Sequence, residues 1–178
     1  MRIAFLLGCC FFLFGSYEKE ALIINQTEII VKGKTTFGSF ECSYEHQGKR
    51  DTLLFDNKSM GITSLDFEIP ITAFGCGNFL LNSDFKKTLK AEEYPLCLVS
   101  VNNLQRGSQA IVGDIYLQMA GKELYLESET FYKLKDRLQG TLHLSTEELG
   151  LDATSRLGGL VKVEETIDLE INLYLEGS

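Results

Sequence analysis

The 178-residue sequence contains no tryptophan, only two prolines and only two histidines. So few prolines exclude a proline-rich or collagen-like chain, and two histidines leave little side-chain chemistry that titrates near neutral pH. Basic residues are also in the minority, with 17 lysines and arginines against 25 aspartates and glutamates, a net charge of −8. That charge repels a phosphate backbone. We therefore expect no nucleic-acid partner.

The polar residues form no recognisable catalytic or metal-binding motif. His46 lies in a predicted turn, and His143 lies between two leucines on the opposite face of a predicted strand. Neither histidine belongs to an H-x-H or C-x-x-C pattern, and the sequence contains no nucleophile elbow or phosphate-binding loop. The sequence therefore predicts a protein that is not an enzyme and that needs no metal ion or other cofactor.

What the chain does have is an apolar block at its N-terminus. Met1 and Arg2 precede an uncharged apolar run, residues 3–14, and the small residues Gly15 and Ser16 follow it. A basic start, a short apolar run and small residues at its end are typical of a secretory signal. The run is too short to span a bilayer as a helix. We predict a signal peptide over residues 1–16, with cleavage between residues 15 and 21, and a mature domain over residues 22–176.

A signal peptide of this kind directs the mature protein to the periplasm or outside the cell. The alternative is a lipoprotein that is acylated at Cys9, because Leu6-Leu7-Gly8-Cys9 resembles an acylation box. Either route brings the chain into an oxidising compartment, where disulfides form and persist.

Three cysteines follow the predicted signal: Cys42, Cys76 and Cys97. In an exported protein two of them can pair and leave one over. Glycines on both sides of Cys76 allow a close backbone approach, and a Cys42–Cys76 bridge would stabilise the fold by roughly 3–4 kcal/mol. Cys97, inside an apolar run, is interpreted as a buried free thiol. The alternative is that all three are reduced residues of the core.

Beyond the N-terminus the dominant hydrophobic period is two. Apolar and polar residues alternate over several segments, as in strands that bury one face; these are residues 36–44, 65–72, 111–119, 124–132, 138–146 and 167–176. Turn candidates separate them at residues 32–34, 46–49, 56–59, 102–103, 106–108, 120–122 and 135–137. With shorter apolar runs near residues 22–31, 53–55 and 96–101, the pattern predicts about eight to ten strands.

Residues 83–95 break this pattern. Ser83 is a candidate N-cap, Asp84 lies in the first turn, and Phe85 and Leu89 lie four residues apart on one helical face. Pro95 ends the segment, because a residue before proline avoids the helical region. We therefore predict one short helix between two strands, and the regular strand spacing around it favours a barrel or a sandwich.

The order of several segments resembles that of the bacterial YceI-like proteins. The matching segments are residues 32–42, 67–70, 82–85, 89–95, 113–117, 121–122, 149–150 and 159–163. The resemblance as a whole covers about Thr27 to Leu175, nearly the whole predicted mature chain. The resemblance implies an all-β fold, an antiparallel lipocalin-like β-barrel of about eight strands with one short helix between strands. It also implies an exported protein that holds an apolar isoprenoid, such as a polyprenyl chain or a quinone tail, in the lumen.

A lumen of that kind needs apolar walls and no charged partner. The inward-facing apolar positions are the candidate ligand-binding residues: Phe40, Leu65, Phe67, Ile69, Leu138, Leu142, Ile167, Leu169, Ile171 and Leu173. The alternative is that these side chains fill a solid core, since barrel walls and cores share the same alternation. The protein would then act through its acidic surface as a periplasmic interaction or stress protein without a small ligand. The sequence does not fix the oligomeric state, and a homodimer is one alternative.

Overall fold

The computed structural model describes residues 20–36, 38–55, 65–151 and 165–177. The predicted signal peptide, the predicted turn at residues 56–59 and the segment 159–163 lie outside these ranges. Within the described ranges, no helix is both long and apolar enough to cross a bilayer.

Eight strands form one antiparallel sheet with the spatial order β2-β1-β8-β7-β6-β5-β4-β3. Along the chain they are β1 (Glu20–Thr35), β2 (Gly38–Phe55), β3 (Leu65–Pro70), β4 (Leu96–Arg106), β5 (Ala110–Met119), β6 (Lys122–Lys133), β7 (Arg137–Ser145) and β8 (Thr166–Leu175). A 3₁₀ turn (Ile71–Ala73) and one helix, α1 (Phe79–Thr88), lie between β3 and β4. The sheet curls into a half-barrel, which confirms the predicted all-β fold with one short helix.

The predicted alternation of apolar and polar residues sets the two faces of the sheet. On β5, Ile111, Ile115 and Leu117 are buried, while the residues between them are partly exposed or polar. The same alternation on β7 buries Leu142 and Leu144 on the side opposite His143. Successive side chains of a strand point to opposite faces, so the apolar set faces the inside of the curl.

The β1–β2 hairpin is longer than the sequence predicted. The turn candidates at residues 32–34 and 46–49 are wrong, because both segments lie inside these paired strands. The turn lies between Thr35 and Gly38, where Gly38 has a φ of 136°. The Phe40 ring packs where a side chain of residue 33 would lie, since a Cβ at Gly33 would be only 2.5 Å from that ring. His46 and Gln47 pair with β1, and the irregularity of the hairpin ladder lies at residues 48–50, where Gly48 has a φ of 98°.

Asp114 fixes two further bends of the sheet. The β4–β5 and β5–β6 ladders each contain a shift in register, and such bulges bend and twist a strand. The Asp114 carboxylate accepts hydrogen bonds from the Asn103 side chain (2.6 Å), the Tyr125 hydroxyl (3.0 Å) and the Ser128 backbone N–H (2.9 Å). The predicted turn at residues 102–103 is therefore a bulge inside β4. These hydrogen bonds, led by that of Asn103, lower the pKa of Asp114.

The helix begins earlier and ends earlier than predicted. Asn78, and not Ser83, is the N-cap, and its side chain accepts a hydrogen bond from the Leu81 backbone N–H at 2.9 Å. Such a cap satisfies one of the free N–H groups of the first turn. The helix ends at Thr88, and Lys90, with a φ of 52°, turns the chain away before Pro95.

A disulfide links the two edges of the sheet. The edge strands β2 and β3 share no ladder in the described ranges, but the segment after β3 returns to β2. There Ser43 and Gly75 exchange two backbone hydrogen bonds of 2.9 and 2.8 Å. Beside them Cys42 and Cys76 form a disulfide with a Cα–Cα distance of 4.0 Å, and Cys97 is free and buried. The predicted pairing is confirmed.

A polar network crosses the outer face of β1, β8 and β7. Glu170 on β8 accepts hydrogen bonds from Lys32 on β1 (2.7 Å), Gln139 on β7 (2.9 Å) and Asn172 (3.0 Å). The buried Asn172 also donates to Glu28 at 3.0 Å. The hydrogen bond from Lys32, followed by those from Asn172 and Gln139, lowers the pKa of Glu170. One carboxylate thus connects three neighbouring strands.

We expect Cys42→Ser and Cys76→Ser to destabilise the fold by similar amounts, roughly 3–4 kcal/mol, because either change removes the same cross-link from the unfolded chain. The double variant should be little worse than either single one. Cys97→Ala is the control that keeps the bridge. Urea unfolding of the four variants measures their stability, and a thiol titration of each shows whether the disulfide is present. Three titratable thiols among these positions in the unreduced wild type would contradict the disulfide.

Glu170→Gln should lower the free energy of unfolding by about 1 kcal/mol at neutral pH. A carboxyl group whose pKa is lower in the folded state stabilises the fold above its unfolded pKa, about 4.3. That contribution is lost as the pH falls through the lower, folded pKa. The difference between wild type and variant should therefore shrink in acid. Urea unfolding over a pH series tests this, with Glu148→Gln as an exposed control, and a difference that does not change with pH would refute it.

Candidate functional site

A cavity of about 570 Å³ lies inside the curl of the sheet. All eight strands contribute residues to its lining, and so does α1. Its volume lies within the range of about 300–1,000 Å³ that is typical of pockets for small-molecule ligands. The lumen of this half-barrel is therefore not filled by its own side chains.

The lining of this cavity is almost entirely hydrocarbon. Apart from two cysteines, its polar residues are four threonines and one acid: Thr27, Thr35, Asp84, Thr88 and Thr146. The other lining residues are isoleucine, leucine, valine, phenylalanine and methionine. Burial of each CH₂ group against such a surface contributes about 0.8 kcal/mol. The cavity can thus take up an apolar molecule.

Most of the predicted lumen residues lie along this cavity. Those in its lining are Phe40, Phe67, Ile69, Leu142, Ile167, Leu169, Ile171 and Leu173. Leu65 and Leu138 are buried, with 7% and 1% of their surface exposed, but they are not part of the lining. Both lie near the first residue of their strands. That the lining residues bind a ligand stays a prediction.

The residues predicted from the sequence leave out the part of the lining that comes from β1, β4, β5, β6 and α1. On β1 the side chains of Ile29 and Val31 line the cavity, and on β4 those of Val99 and Val101 do. The alternation of apolar residues in these strands was visible in the sequence and would have identified them. The contribution of α1 was not visible, because a short helix gives no sign of the surface that it covers.

Aromatic contacts hold α1 over the cavity. The Phe85 ring lies 5.2 Å from the Phe74 ring, and the Phe74 ring lies 5.6 Å from that of Tyr44 on β2. Tilted pairs at such distances stabilise packing beyond the area that they bury. Since Phe74 precedes the disulfide residue Cys76 by two positions, the helix is attached to the same edge strand as the covalent link.

Cys97 is the free thiol in the lining. Burial raises its pKa to about 12. The thiol is therefore protonated at neutral pH, and a protonated thiol is a poor nucleophile and a poor metal ligand. In this cavity Cys97 acts as a small apolar wall residue.

The two histidines lie outside the cavity. His143 pairs with Asp168 at 2.6 Å on the outer face, where the histidine side chain is 74% exposed. His46 stacks beside Tyr44, with a distance of 6.3 Å between ring centroids. The described ranges contain no group of three or more His, Cys, Asp or Glu side chains that could hold a metal ion. The absence of a cofactor stays a prediction.

Comparison with known proteins supports the fold. No protein-family model and no curated protein matches the sequence. Among solved structures, the chain is similar to the crystal structure of a Campylobacter jejuni YceI protein, with a TM-score of 0.51 and 17% sequence identity. The match covers 70% of this chain and 78% of that chain. The protein therefore has a YceI-like fold, as the order of its sequence segments implied.

A tryptophan introduced at Leu142 should be tolerated, while the same change at Leu138 should destabilise the fold by about 1–3 kcal/mol. Both leucines lie on β7 and are almost fully buried, but only Leu142 faces empty space. An enlarged side chain in a packed site forces strain. Because the wild type has no tryptophan, the emission of each variant reports its own site while urea unfolding measures stability. Equal destabilisation by the two changes would contradict the cavity.

Proposed function

We propose that this protein holds an apolar isoprenoid, such as a polyprenyl chain or a quinone tail, in its lumen and acts as a carrier or sequestering protein. The observation that carries this proposal is the cavity of about 570 Å³ with its hydrocarbon walls. A chain of about twenty carbons gains roughly 16 kcal/mol from burial, before the costs of binding take most of it. Such a gain needs no charged residue in the wall.

The empty lumen itself supports an apolar occupant. Atoms that line a void lack partners on one side and forfeit their dispersion contacts. Thr27 and Thr146 are the buried polar residues of the lining, and the Thr146 hydroxyl already donates to the Glu165 backbone oxygen at 3.1 Å. Water needs two to four polar partners to occupy a site stably. A hydrocarbon ligand therefore makes more favourable contacts with this wall than water does.

Export is part of the proposal. The Cys42–Cys76 disulfide is consistent with an oxidising compartment, and the first 16 residues have the pattern of a signal peptide. We infer that the protein works in the periplasm or outside the cell, where an insoluble lipid needs a carrier to move through water. Acylation at Cys9 remains the alternative route to the same compartment.

The test is to purify the protein from the periplasmic fraction without detergent, extract it with organic solvent and identify the lipid by mass spectrometry. We expect an isoprenoid in an amount comparable to the protein, on a chain whose first residue lies between Ser16 and Leu22. Leu142→Trp, which narrows the cavity, should lower the lipid yield, and Leu138→Trp, outside the lining, should leave it unchanged. A lipid-free wild type would contradict the proposal and favour an interaction protein with an acidic surface.

A further inference from the structure

The outward face of α1 has an apolar end and a basic end. Phe79 and Leu80, in its first turn, are 87% and 69% exposed. Lys86 and Lys87 lie in its last turn. An exposed phenylalanine beside an exposed leucine is costly in water, and such a pair marks a surface for interaction more often than an isolated apolar residue does.

Helical geometry places these side chains on the same side. With 3.6 residues per turn, one face spanning about a third of the circumference carries Phe79, Leu80, Ser83, Lys86 and Lys87. Asp84, the acidic residue of α1, lies at the edge of this face, about 40° beyond Leu80, and lines the cavity with Phe85 and Thr88. The outward face is therefore apolar and positive, on a chain whose net charge is −8.

This face is continuous with the cavity. Leu80 lines the cavity, yet 69% of its surface is exposed. The apolar lining therefore reaches the surface beside Leu80, next to Phe79. An apolar molecule that entered or left at this point would pass along hydrocarbon side chains.

We propose that Phe79, Leu80, Lys86 and Lys87 form a docking surface for an anionic lipid bilayer, through which an apolar ligand passes between the membrane and the cavity. This inference rests on the proposed function. Aromatic and aliphatic side chains enter the boundary between head groups and acyl chains, and neighbouring lysines bind anionic head groups. Passage beside Leu80 spares the ligand a transfer through water, which for a long hydrocarbon chain is the dominant barrier.

The size of the patch also favours a bilayer over a second copy of the chain. A stable dimer buries about 800 Å² on each partner, whereas a single phenylalanine supplies about 200 Å². Two exposed apolar side chains are enough for weak, reversible membrane contact, in which binding increases with the buried apolar area and with the charge of the lipids.

The experiment is cosedimentation of the soluble, exported protein with vesicles of phosphatidylcholine alone or mixed with phosphatidylglycerol. We expect binding to the mixed vesicles that weakens as salt is added, because salt screens exposed charges. Phe79→Ser with Leu80→Ser should abolish the binding. Lys86→Gln with Lys87→Gln should weaken it about 25-fold, since each lysine near an anionic surface contributes roughly fivefold.

Matched controls come from the β6–β7 hairpin, which also exposes an aromatic residue, a leucine and two lysines. Tyr132 and Leu134 are 61% and 39% exposed, and Lys133 and Lys135 lie beside them. Tyr132→Ser with Leu134→Ser, and Lys133→Gln with Lys135→Gln, should leave vesicle binding unchanged. Equal loss in the α1 variants and in these controls would overturn the proposal.

A second measurement separates this proposal from the proposed function. Each variant is titrated with an apolar fluorophore in the absence of vesicles. We expect Phe79→Ser alone, and Lys86→Gln with Lys87→Gln, to bind it as the wild type does, because none of these three residues lines the cavity. Vesicle binding by a wild type whose cavity takes no fluorophore would support the docking surface while contradicting the proposed cargo. Vesicle binding that persists in the Phe79→Ser and Leu80→Ser variant would overturn the docking surface. A wild-type dimer that becomes a monomer in that variant would also overturn it, because the patch would then be an interface between two copies of the chain.

Discussion

A curled sheet with two free edges keeps an apolar interior only if its edges cannot drift apart. Unpaired edge strands are also prone to join other chains. In this protein the link between β2 and the segment after β3 meets both requirements, through the Cys42–Cys76 disulfide and the backbone pair of Ser43 and Gly75. The Cys76 backbone N–H also donates to the Asn82 side chain of α1 at 2.6 Å. One link therefore fixes the seam of the half-barrel and the helix that covers its lumen.

Polar contacts that hold the curl lie mainly on the outside. Asp114 fixes two bends, and Glu170 connects three strands, while the inner wall is nearly all hydrocarbon. This division lets the sheet keep its shape without a fully packed interior. A wall held only by its own inward packing would be weakened by the void that it encloses, since atoms that line a void lack partners on one side. The outer networks therefore make an open lumen compatible with a stable fold.

The sequence predicted the strands and eight residues of the lumen wall because both follow from a period of two. It misplaced turns where a glycine serves another purpose: Gly33 makes room for the Phe40 ring, and Gly48 lies in an irregularity of the hairpin. It misplaced the helix because Asn78 and Ser83 are both suitable caps, and only tertiary packing selects between them. The alternation alone could not predict the cavity, since a solid core and a barrel wall show the same alternation, and only the resemblance to YceI-like proteins implied a lumen.

The low sequence identity to the Campylobacter jejuni protein follows from how little the fold requires of each strand. A barrel of this kind requires apolar residues on one face of each strand, and many residues of suitable size meet that requirement. Two chains can therefore share the curl of the sheet at 17% identity. The fold thus places the cavity in the interior of the sheet, and the chemistry of that cavity is decided by this chain's own wall. That wall contains a single carboxylate in its described lining, Asp84 of α1, so the one acidic side chain that borders the cavity lies on the helix side.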